Sequence, residues 1–150
     1  MKKYLIALLA ACPVVAAAAQ TRPAAGYIDP MIGTRNMGHV FPGACVPHGA
    51  LQLSPDTEMV PHNIDGKYVP EAYRYCAGYQ YDDPTIVGFS HTHLSGTGHS
   101  DLGDILLMPT VGEILTDRGT AEHPETGYRS RFSHERERAA AGYYEVMLDD

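Results

Sequence analysis

The sequence predicts an all-β fold, with its strands arranged as an antiparallel sandwich or barrel. Short runs that alternate apolar with polar residues, or that are rich in β-branched residues, recur between turns that contain many of its 15 Gly and 11 Pro. This is the pattern of strands joined by tight connections. No stretch keeps the 3.6-residue apolar period of an amphipathic helix. With 150 residues, 44% of them hydrophobic, the chain is long enough to bury a core.

The predicted strands follow one another along the chain after a Gly- and Pro-rich region. Residues 27–34 form a short apolar segment, and residues 35–49 contain too many helix breakers for a long helix. The strands are recognised by alternation or by β-branched residues, and they cover residues 50–54, 76–81, 85–89, 105–108, 111–115 and 142–148. In the last of these, Tyr144, Val146 and Leu148 share one face.

Two further segments are predicted to be connections. Residues 58–75 are polar and rich in Pro and Gly, which predicts a long surface loop of the kind that is often functional. Residues 135–141 predict a charged turn or a single helical turn. Because the chain stops directly after its last strand, we expect it to be the N-terminal part of a longer protein, with its sandwich incomplete.

The first 19 residues have the organisation of a bacterial secretory signal. Two Lys follow Met1, and then come apolar residues and an Ala-rich cleavage region. Removal of residues 1–19 would leave a linker over residues 20–26 and one domain over residues 27–150, located in the periplasm or secreted. The alternative is cleavage before Cys12, which would leave a lipid anchor on that residue. No later stretch is apolar for long enough to span a membrane.

The net charge narrows the class of binding partner, and the compartment bears on whether the cysteines form a disulfide. The formal net charge is −7, and it becomes more negative if Lys2 and Lys3 leave with the signal, which argues against nucleic acid as a partner. Export would place Cys45 and Cys76 in an oxidising compartment. Buried free thiols are slightly favoured over a disulfide, because a chain of this length does not need a covalent staple.

The segment 88–109 concentrates metal-binding and hydrogen-bonding side chains between two apolar runs. On a strand, His91 and His93 would point to the same side. His99 and Asp101 would then complete a tetrahedral zinc site, although the Asp-His pair expected shortly after such a His-x-His pattern is missing. In the other interpretation, these His side chains hydrogen-bond carbonyls and hydroxyls of their own loop.

Two other sets of residues suggest sugar chemistry. Asp101 and Asp104 form a carboxylate pair of the type that glycosidases use as acid and base, but carboxylates at loop ends more often order a turn. An aromatic ring beside polar groups is suited to cover the apolar face of a sugar, and the alternative is a Tyr-rich strand in an ordinary sheet. The tyrosines that cluster in this way are Tyr73, Tyr75, Tyr79 and Tyr81.

Several long motifs occur in a fixed order, and they are DPMIGT at 29–34, GHVFPGA at 38–44, VPHG at 46–49, LQLSPDT at 51–57, CAGY at 76–79 and the whole of 88–109. In this order they resemble the N-terminal part of glycoside hydrolase family 92, a family of exo-acting α-mannosidases. The resemblance extends over residues 27–148, which is nearly all of the chain that follows the predicted signal.

The resemblance implies an N-terminal β-sandwich followed by a helical (α/α)6 barrel, with the active site between them. It also implies hydrolysis of α-mannosidic bonds in glycans, with inversion and with a requirement for Ca2+. In this family the general acid, the base and the calcium ligands come mainly from the barrel. We therefore expect this chain to hold no catalytic residue and no metal ligand, to be inactive alone, and to have its own C-terminal domain as a partner.

The resemblance also implies which residues line the mannose pocket. The residues that match its wall are Gly38, His39, Tyr73, Tyr75, His91, His93 and Asp101. The family often has a Trp shortly before the Cys-x-Gly-Tyr segment, whereas this chain has no Trp, and Tyr73 and Tyr75 occupy that neighbourhood. Two other functions stay open, namely a non-catalytic glycan-binding module and a zinc hydrolase that uses His91, His93 and His99.

Overall fold

The computed structural model describes residues 23–45, 48–98 and 104–149. The predicted signal, Cys12, His99 and Asp101 lie outside the described residues. The strands are β1 (Ser54–Asp56), β2 (Asn63–Ile64), β3 (Lys67–Tyr68), β4 (Thr85–Ile86), β5 (Gly88–Ser90), β6 (Ser130–Ala140) and β7 (Tyr143–Leu148). The helical segments are α1 (Glu71–Arg74) and two 3-10 turns, Ala24–Tyr27 and Pro124–Thr126. No helix in this part of the chain has the length and apolarity needed to cross a membrane.

The strand pairs are antiparallel and form two small sheets and a hairpin. β1 pairs with β5, and single bridges from Ala44 to Leu53 and from Phe89 to Leu107 widen this first sheet. In the second sheet, β6 lies between β4 and β7. The chain passes from the second sheet to the first at Val87, which is fully buried between β4 and β5. This arrangement confirms the predicted all-β, antiparallel β-sandwich.

Strand prediction succeeds where the signal is local. Residues 85–89 form β4 and β5, and residues 142–148 contain β7, in which alternate residues are half-buried as expected. The predicted loop at 58–75 is largely exposed, but it contains the β2–β3 hairpin and α1. The strand expected at 50–54 begins only at Ser54, and 105–108 contribute the single bridge at Leu107.

Three predictions are wrong. Residues 76–81 form a turn instead of a strand, because Gly78 adopts a positive φ of 79° and its N–H donates to the Tyr75 carbonyl at 2.8 Å. Residues 111–115 contain no strand and are exposed. The turn expected at 135–141 is mostly strand, since β6 continues to Ala140 before the chain reverses.

A buried carboxylate joins the β6–β7 hairpin to the turn at 76–81. Glu137 on β6 has a side chain that is 3% exposed. It accepts hydrogen bonds from the hydroxyls of Tyr79 at 2.8 Å and Tyr144 at 2.6 Å, and from Nδ1 of His134 at 2.5 Å. A buried carboxylate is tolerated only when donors replace its hydration. These contacts fix the turn that carries the cavity described below.

Candidate functional site

A cavity of about 340 Å³ opens between the turn at 76–78, the loop at 92–93 and the loop at 58–61. Its volume lies within the range of small-molecule sites, roughly 300–1,000 Å³. Polar groups form its floor, and aromatic and aliphatic side chains form much of its walls. The residues that line it are Asp56, Glu58, Met59, Val60, Pro61, Tyr75, Cys76, Gly78, Thr92, His93, Arg118 and Tyr128.

The floor is a buried hydrogen-bond network centred on His93. Its Nδ1 lies 2.6 Å from the Gln52 carbonyl oxygen, so this nitrogen carries a proton and donates it. Its Nε2 lies 3.0 Å from Asp56 Oδ1 and 3.2 Å from Ser90 Oγ. The other oxygen of Asp56 accepts the Ser90 backbone N–H at 3.0 Å. The Ser90 hydroxyl and the Asp56 carboxylate both contact Nε2 of His93, whereas in a catalytic triad the serine and the carboxylate contact opposite nitrogens of the histidine. The arrangement is therefore not a triad, and the network serves to order the floor of the cavity.

The absence of a side chain at Gly78 makes room for this network. A Cβ there would lie 2.2 Å from Asp56 Oδ1 and 2.8 Å from His93 Nε2. The backbone of Gly78 also has φ of 79°, a conformation that L side chains rarely adopt. Glycine is therefore required both for the turn and for the close approach of the turn to the floor.

Glu58 and Arg118 line one wall of the cavity, and Glu58 also pairs with Arg129, which is not among the lining residues. Glu58 lies 2.8 Å from Nη2 of Arg129 and 3.4 Å from Nη1 of Arg118. Arg129 is only 1% exposed and also donates to Thr85 Oγ1 at 3.2 Å. Its Nε has no hydrogen-bond partner among the described residues. Arg118 also donates to the Met59 carbonyl at 2.6 Å, so the wall is tied to the loop at 58–61.

Tyr75 and Cys76 present a phenol and a thiol at the cavity, and both stay protonated to higher pH than usual. Burial raises the pKa of the half-buried Tyr75, and the charge of nearby Asp83 raises it further. Burial likewise raises the pKa of the Cys76 thiol. Cys45 is exposed, and both cysteines are free, as the sequence slightly favoured, although only Cys76 is buried.

Among the residues predicted to line a mannose pocket, Tyr75 and His93 meet in this cavity, and His39 and Tyr73 lie beside it. The His39 ring is edge-on to the Tyr73 ring at 4.7 Å between centroids. The Gly96 N–H donates to the His39 carbonyl at 2.8 Å, and the Gly96 carbonyl lies 3.6 Å from Cys76 Sγ. Gly96, in the loop that follows His93, therefore contacts both His39 and Cys76, and so links the pair His39 and Tyr73 to the cavity.

His39 and Gly38 have their own structural constraints. His39 has φ of 50°, is 4% exposed, and its Nε2 finds no partner in the described part of the chain. A positive φ at a residue other than glycine and a buried nitrogen without a partner each cost free energy, and features of this kind cluster at functional positions. Gly38 is exposed, but a Cβ there would lie 2.2 Å from the Gly33 carbonyl oxygen, so this position requires Gly for a close backbone approach.

Two other candidate residues that the structure describes, His91 and Asp104, make loop-ordering contacts. Nδ1 of His91 lies 2.9 Å from the Ile105 carbonyl oxygen, as expected if the His side chains hydrogen-bond their own loop. Asp104 accepts a hydrogen bond from Thr92 Oγ1 at 2.6 Å. Within residues 23–45, 48–98 and 104–149, no group of three or more His, Cys, Asp or Glu side chains is placed to hold a metal ion.

The other two tyrosines of the cluster, Tyr79 and Tyr81, do not line the cavity. Tyr79 is fully buried and donates to Glu137. Tyr81 stacks on His134 with 3.7 Å between ring centroids, and the Arg35 guanidinium lies 4.4 Å from the centre of the Tyr81 ring. These two tyrosines therefore belong to the packing around β6.

Sequence reasoning did not identify the charged residues of the cavity. Asp56 lies within the motif at 51–57, just beyond the strand predicted at 50–54, where the sequence indicates only that the strand has ended. Glu58 and Arg129 are separated by 71 residues in sequence, and no local pattern signals that they meet. The available signal was Glu58 within the long loop predicted at 58–75; no predicted element contains Arg118 or Arg129.

Comparison with known proteins identifies a family for almost the whole described chain. The family model for the glycosyl hydrolase family 92 N-terminal domain matches residues 27–150. A protein of Arthroderma benhamiae, described as an uncharacterized secreted glycosidase, is 29% identical over 125 residues, which are 83% of this chain and 14% of the fungal protein.

Solved structures give the same result. A family GH92 alpha-mannosidase from Bacteroides thetaiotaomicron, solved in complex with mannoimidazole, is 45% identical with a TM-score of 0.72, over 83% of this chain and 15% of that one. A family GH92 inverting mannosidase from the same species is 22% identical with a TM-score of 0.53, over 86% and 16%, and shows the fold alone. The chain therefore spans about one-seventh of the length of these relatives.

Proposed function

Because this chain belongs to glycosyl hydrolase family 92, we propose that the complete protein is an exported exo-acting α-mannosidase that hydrolyses α-mannosidic bonds in glycans. The observation that carries the proposal is the cavity that brings Tyr75 and His93 together in a chain of this family. In this proposal the β-sandwich supplies part of the wall around a terminal mannose. Tyr75 supports a sugar ring, while the His93 network holds the floor rigid.

The chemistry of the reaction is proposed to lie mainly in a C-terminal (α/α)6 barrel. For inversion, one carboxylic acid protonates the leaving oxygen and a carboxylate roughly 6.5–9.5 Å away activates water on the opposite face of the sugar. The same barrel is proposed to provide most of the calcium ligand set, as the family resemblance implies. The role of this chain is to orient the mannose and to exclude water from one side of it.

Export is part of the proposal. The predicted signal over residues 1–19 supports it, and a curated relative is described as secreted. The proposed location is the periplasm or the medium, with a lipid anchor at Cys12 as the alternative. Mass analysis of the mature N-terminus, purified from the native host, distinguishes cleavage after residue 19 from lipid attachment at Cys12.

The test uses the complete polypeptide that contains this chain, assayed with an aryl α-mannoside. We expect Tyr75→Ala to lower kcat/KM by about tenfold, because one sugar contact is lost, and Tyr75→Phe to have a smaller effect. The control is Tyr143→Ala, which removes an exposed tyrosine on β7 and should leave activity unchanged. Unaltered kinetics in Tyr75→Ala would contradict the role of the cavity.

The same preparation separates the proposed function from its alternatives. Mannoside hydrolysis that is lost with a calcium chelator supports the calcium-dependent enzyme. Mannoside binding without any hydrolysis would instead support a non-catalytic glycan-binding module. Stoichiometric zinc with no calcium requirement would support the zinc hydrolase that uses His91, His93 and His99.

A further inference from the structure

We propose that Gln80 is a positioning residue, whose side-chain amide holds Tyr75 in the orientation in which this tyrosine faces the cavity. The inference rests on the proposed function, in which Tyr75 supports a sugar ring. Gln80 is buried and does not line the cavity. It therefore acts through Tyr75 and not by contact with a ligand.

The amide of Gln80 holds the peptide unit that leads into Tyr75. Its Nε2 donates a hydrogen bond to the Arg74 carbonyl oxygen at 2.7 Å. Arg74 is the last residue of α1, and the carbonyls of the last helical turn have no partner within the helix. Because the peptide unit is planar, a hydrogen bond to its oxygen also restricts the nitrogen of Tyr75, and with it the direction in which the ring leaves the backbone.

Gln80 is itself anchored to the first sheet. Its backbone N–H donates to Thr57 Oγ1 at 3.0 Å, and the Thr57 N–H donates to the Gly78 carbonyl at 3.0 Å. Thr57 directly follows β1, and both Thr57 and Gln80 are 1% exposed. The position of Tyr75 is thus tied, through one buried side chain, to the strand that also carries Asp56 of the cavity floor.

Asp83 supports Tyr75 from the same segment. The Asp83 N–H donates to the Gln80 carbonyl at 3.1 Å, and its carboxylate lies 3.5 Å from Nη2 of Arg74. The Arg74 guanidinium in turn lies 5.4 Å from the centre of the Tyr75 ring. The backbone of Tyr75 is therefore held by Gln80, and its ring lies beside an ion pair that Gln80 helps to place.

An unpartnered atom of Gln80 argues against a role in stability alone. Its Oε1 is buried and has no hydrogen-bond partner among the described residues. A buried acceptor without a donor costs free energy, and methionine, with a side chain of similar length, would fill the same space without that cost. What the amide adds is the hydrogen bond to Arg74.

The test measures kcat and KM separately in the complete polypeptide with an aryl α-mannoside. Gln80→Met keeps the length of the side chain and removes the donor. We expect KM to rise about threefold with kcat unchanged, because a displaced Tyr75 weakens binding of the substrate and of the transition state alike. A purely structural defect would instead reduce the amount of folded enzyme, which lowers kcat and leaves KM as it was.

Two further variants make the test specific. Thr34→Val is the matched control, since it removes the hydrogen bond from another side chain of a residue that is 1% exposed, at 2.8 Å to the Met31 carbonyl, and should leave KM unchanged. In a Tyr75→Ala background, Gln80→Met should have no further effect on KM, because the residue through which it acts has lost its ring. An unchanged KM in Gln80→Met, or the same increase in both backgrounds, overturns the inference.

Two complications have their own measurements. If Gln80→Met does not fold, Gln80→Glu, which keeps the size of the side chain but only accepts hydrogen bonds when ionised, is held to the same criteria. If the wild type does not hydrolyse the mannoside, the proposed function fails, and hydrogen exchange decides on the positioning role. Faster exchange of the Tyr75 and Cys76 amides in the Gln80 variant, but not in Thr34→Val, then supports it, and unchanged exchange overturns it.

Discussion

Gly78 is the residue at which the backbone, the buried network and the cavity meet. Its N–H closes the turn that places Tyr75 and Cys76 at the cavity. Its missing side chain admits the carboxylate of Asp56 and the ring of His93. A single position therefore couples the shape of a turn to the floor of the cavity.

Gly78→Ala is expected to destabilise the complete protein by roughly 3 kcal/mol or more, because it combines an unfavourable φ with a direct clash. Gly66→Ala is the matched control, since Gly66 has a similar φ of 75° but no atom within 4 Å of an added Cβ. It should cost about 1–2 kcal/mol from backbone strain alone. Urea unfolding measures both variants, and equal losses would show that the network tolerates a methyl group.

The residues of the site were predictable only in part, for a physical reason. Tyr75 and His93 lie in motifs dense with aromatic and polar residues, so their composition alone marks them. Asp56, Glu58 and Arg129 acquire their roles from partners that are 34 to 71 residues away in sequence. Tertiary contacts of this kind leave no local pattern.

At the scale of elements, β6 shows how a sequence signal can be reversed by distant partners. Its charged run from Glu135 to Arg138 predicts a turn, because a buried carboxylate normally costs too much. The strand forms because Tyr79 and Tyr144 donate their hydroxyls to Glu137. In contrast, the more buried and the more exposed residues alternate within β5 and within β7. Because this signal is local, the positions of both strands could be predicted.

The same cluster predicts loss of stability at alkaline pH. Burial, together with Glu137, raises the pKa of Tyr79 and Tyr144 above the ordinary value of 10.0. The unfolded chain loses these phenolic protons first, so the free energy of unfolding is fully retained below pH 10.0 and falls as the pH rises further. The loss in the free energy of unfolding approaches about 1.4 kcal/mol per pH unit for each tyrosine.

Urea unfolding of the complete protein at a series of pH values measures this slope. Tyr144→Phe removes one of the two hydroxyls and should flatten the alkaline limb, although it also lowers stability at neutral pH by about 1 kcal/mol through the lost hydrogen bond. Tyr68→Phe, on an exposed tyrosine of β3, should leave the slope unchanged. An identical slope in Tyr144→Phe would rule out Tyr144 as a contributor.

At the scale of the whole molecule, the two sheets do not fill the space between them. A cavity of about 280 Å³ separates Ala44, Leu53 and Phe89 on one sheet from Tyr144 and Val146 on the other. Leu53 and Leu107 remain 52% and 64% exposed. The sheets have two and three strands, and sheets this small rarely persist without a covering layer.

We therefore expect residues 23–149, produced alone, to lack a cooperative unfolding transition. Exposed side chains such as Val111 and Ile114, which are 81% and 83% exposed, together with uncovered strand edges favour association between copies. We expect the complete polypeptide to unfold cooperatively, with its proposed C-terminal barrel packed against these surfaces. Calorimetry, light scattering and binding of a hydrophobic dye compare the two proteins. A soluble, monomeric segment with a sharp thermal transition would contradict the expectation and would show that residues 23–149 are sufficient for folding.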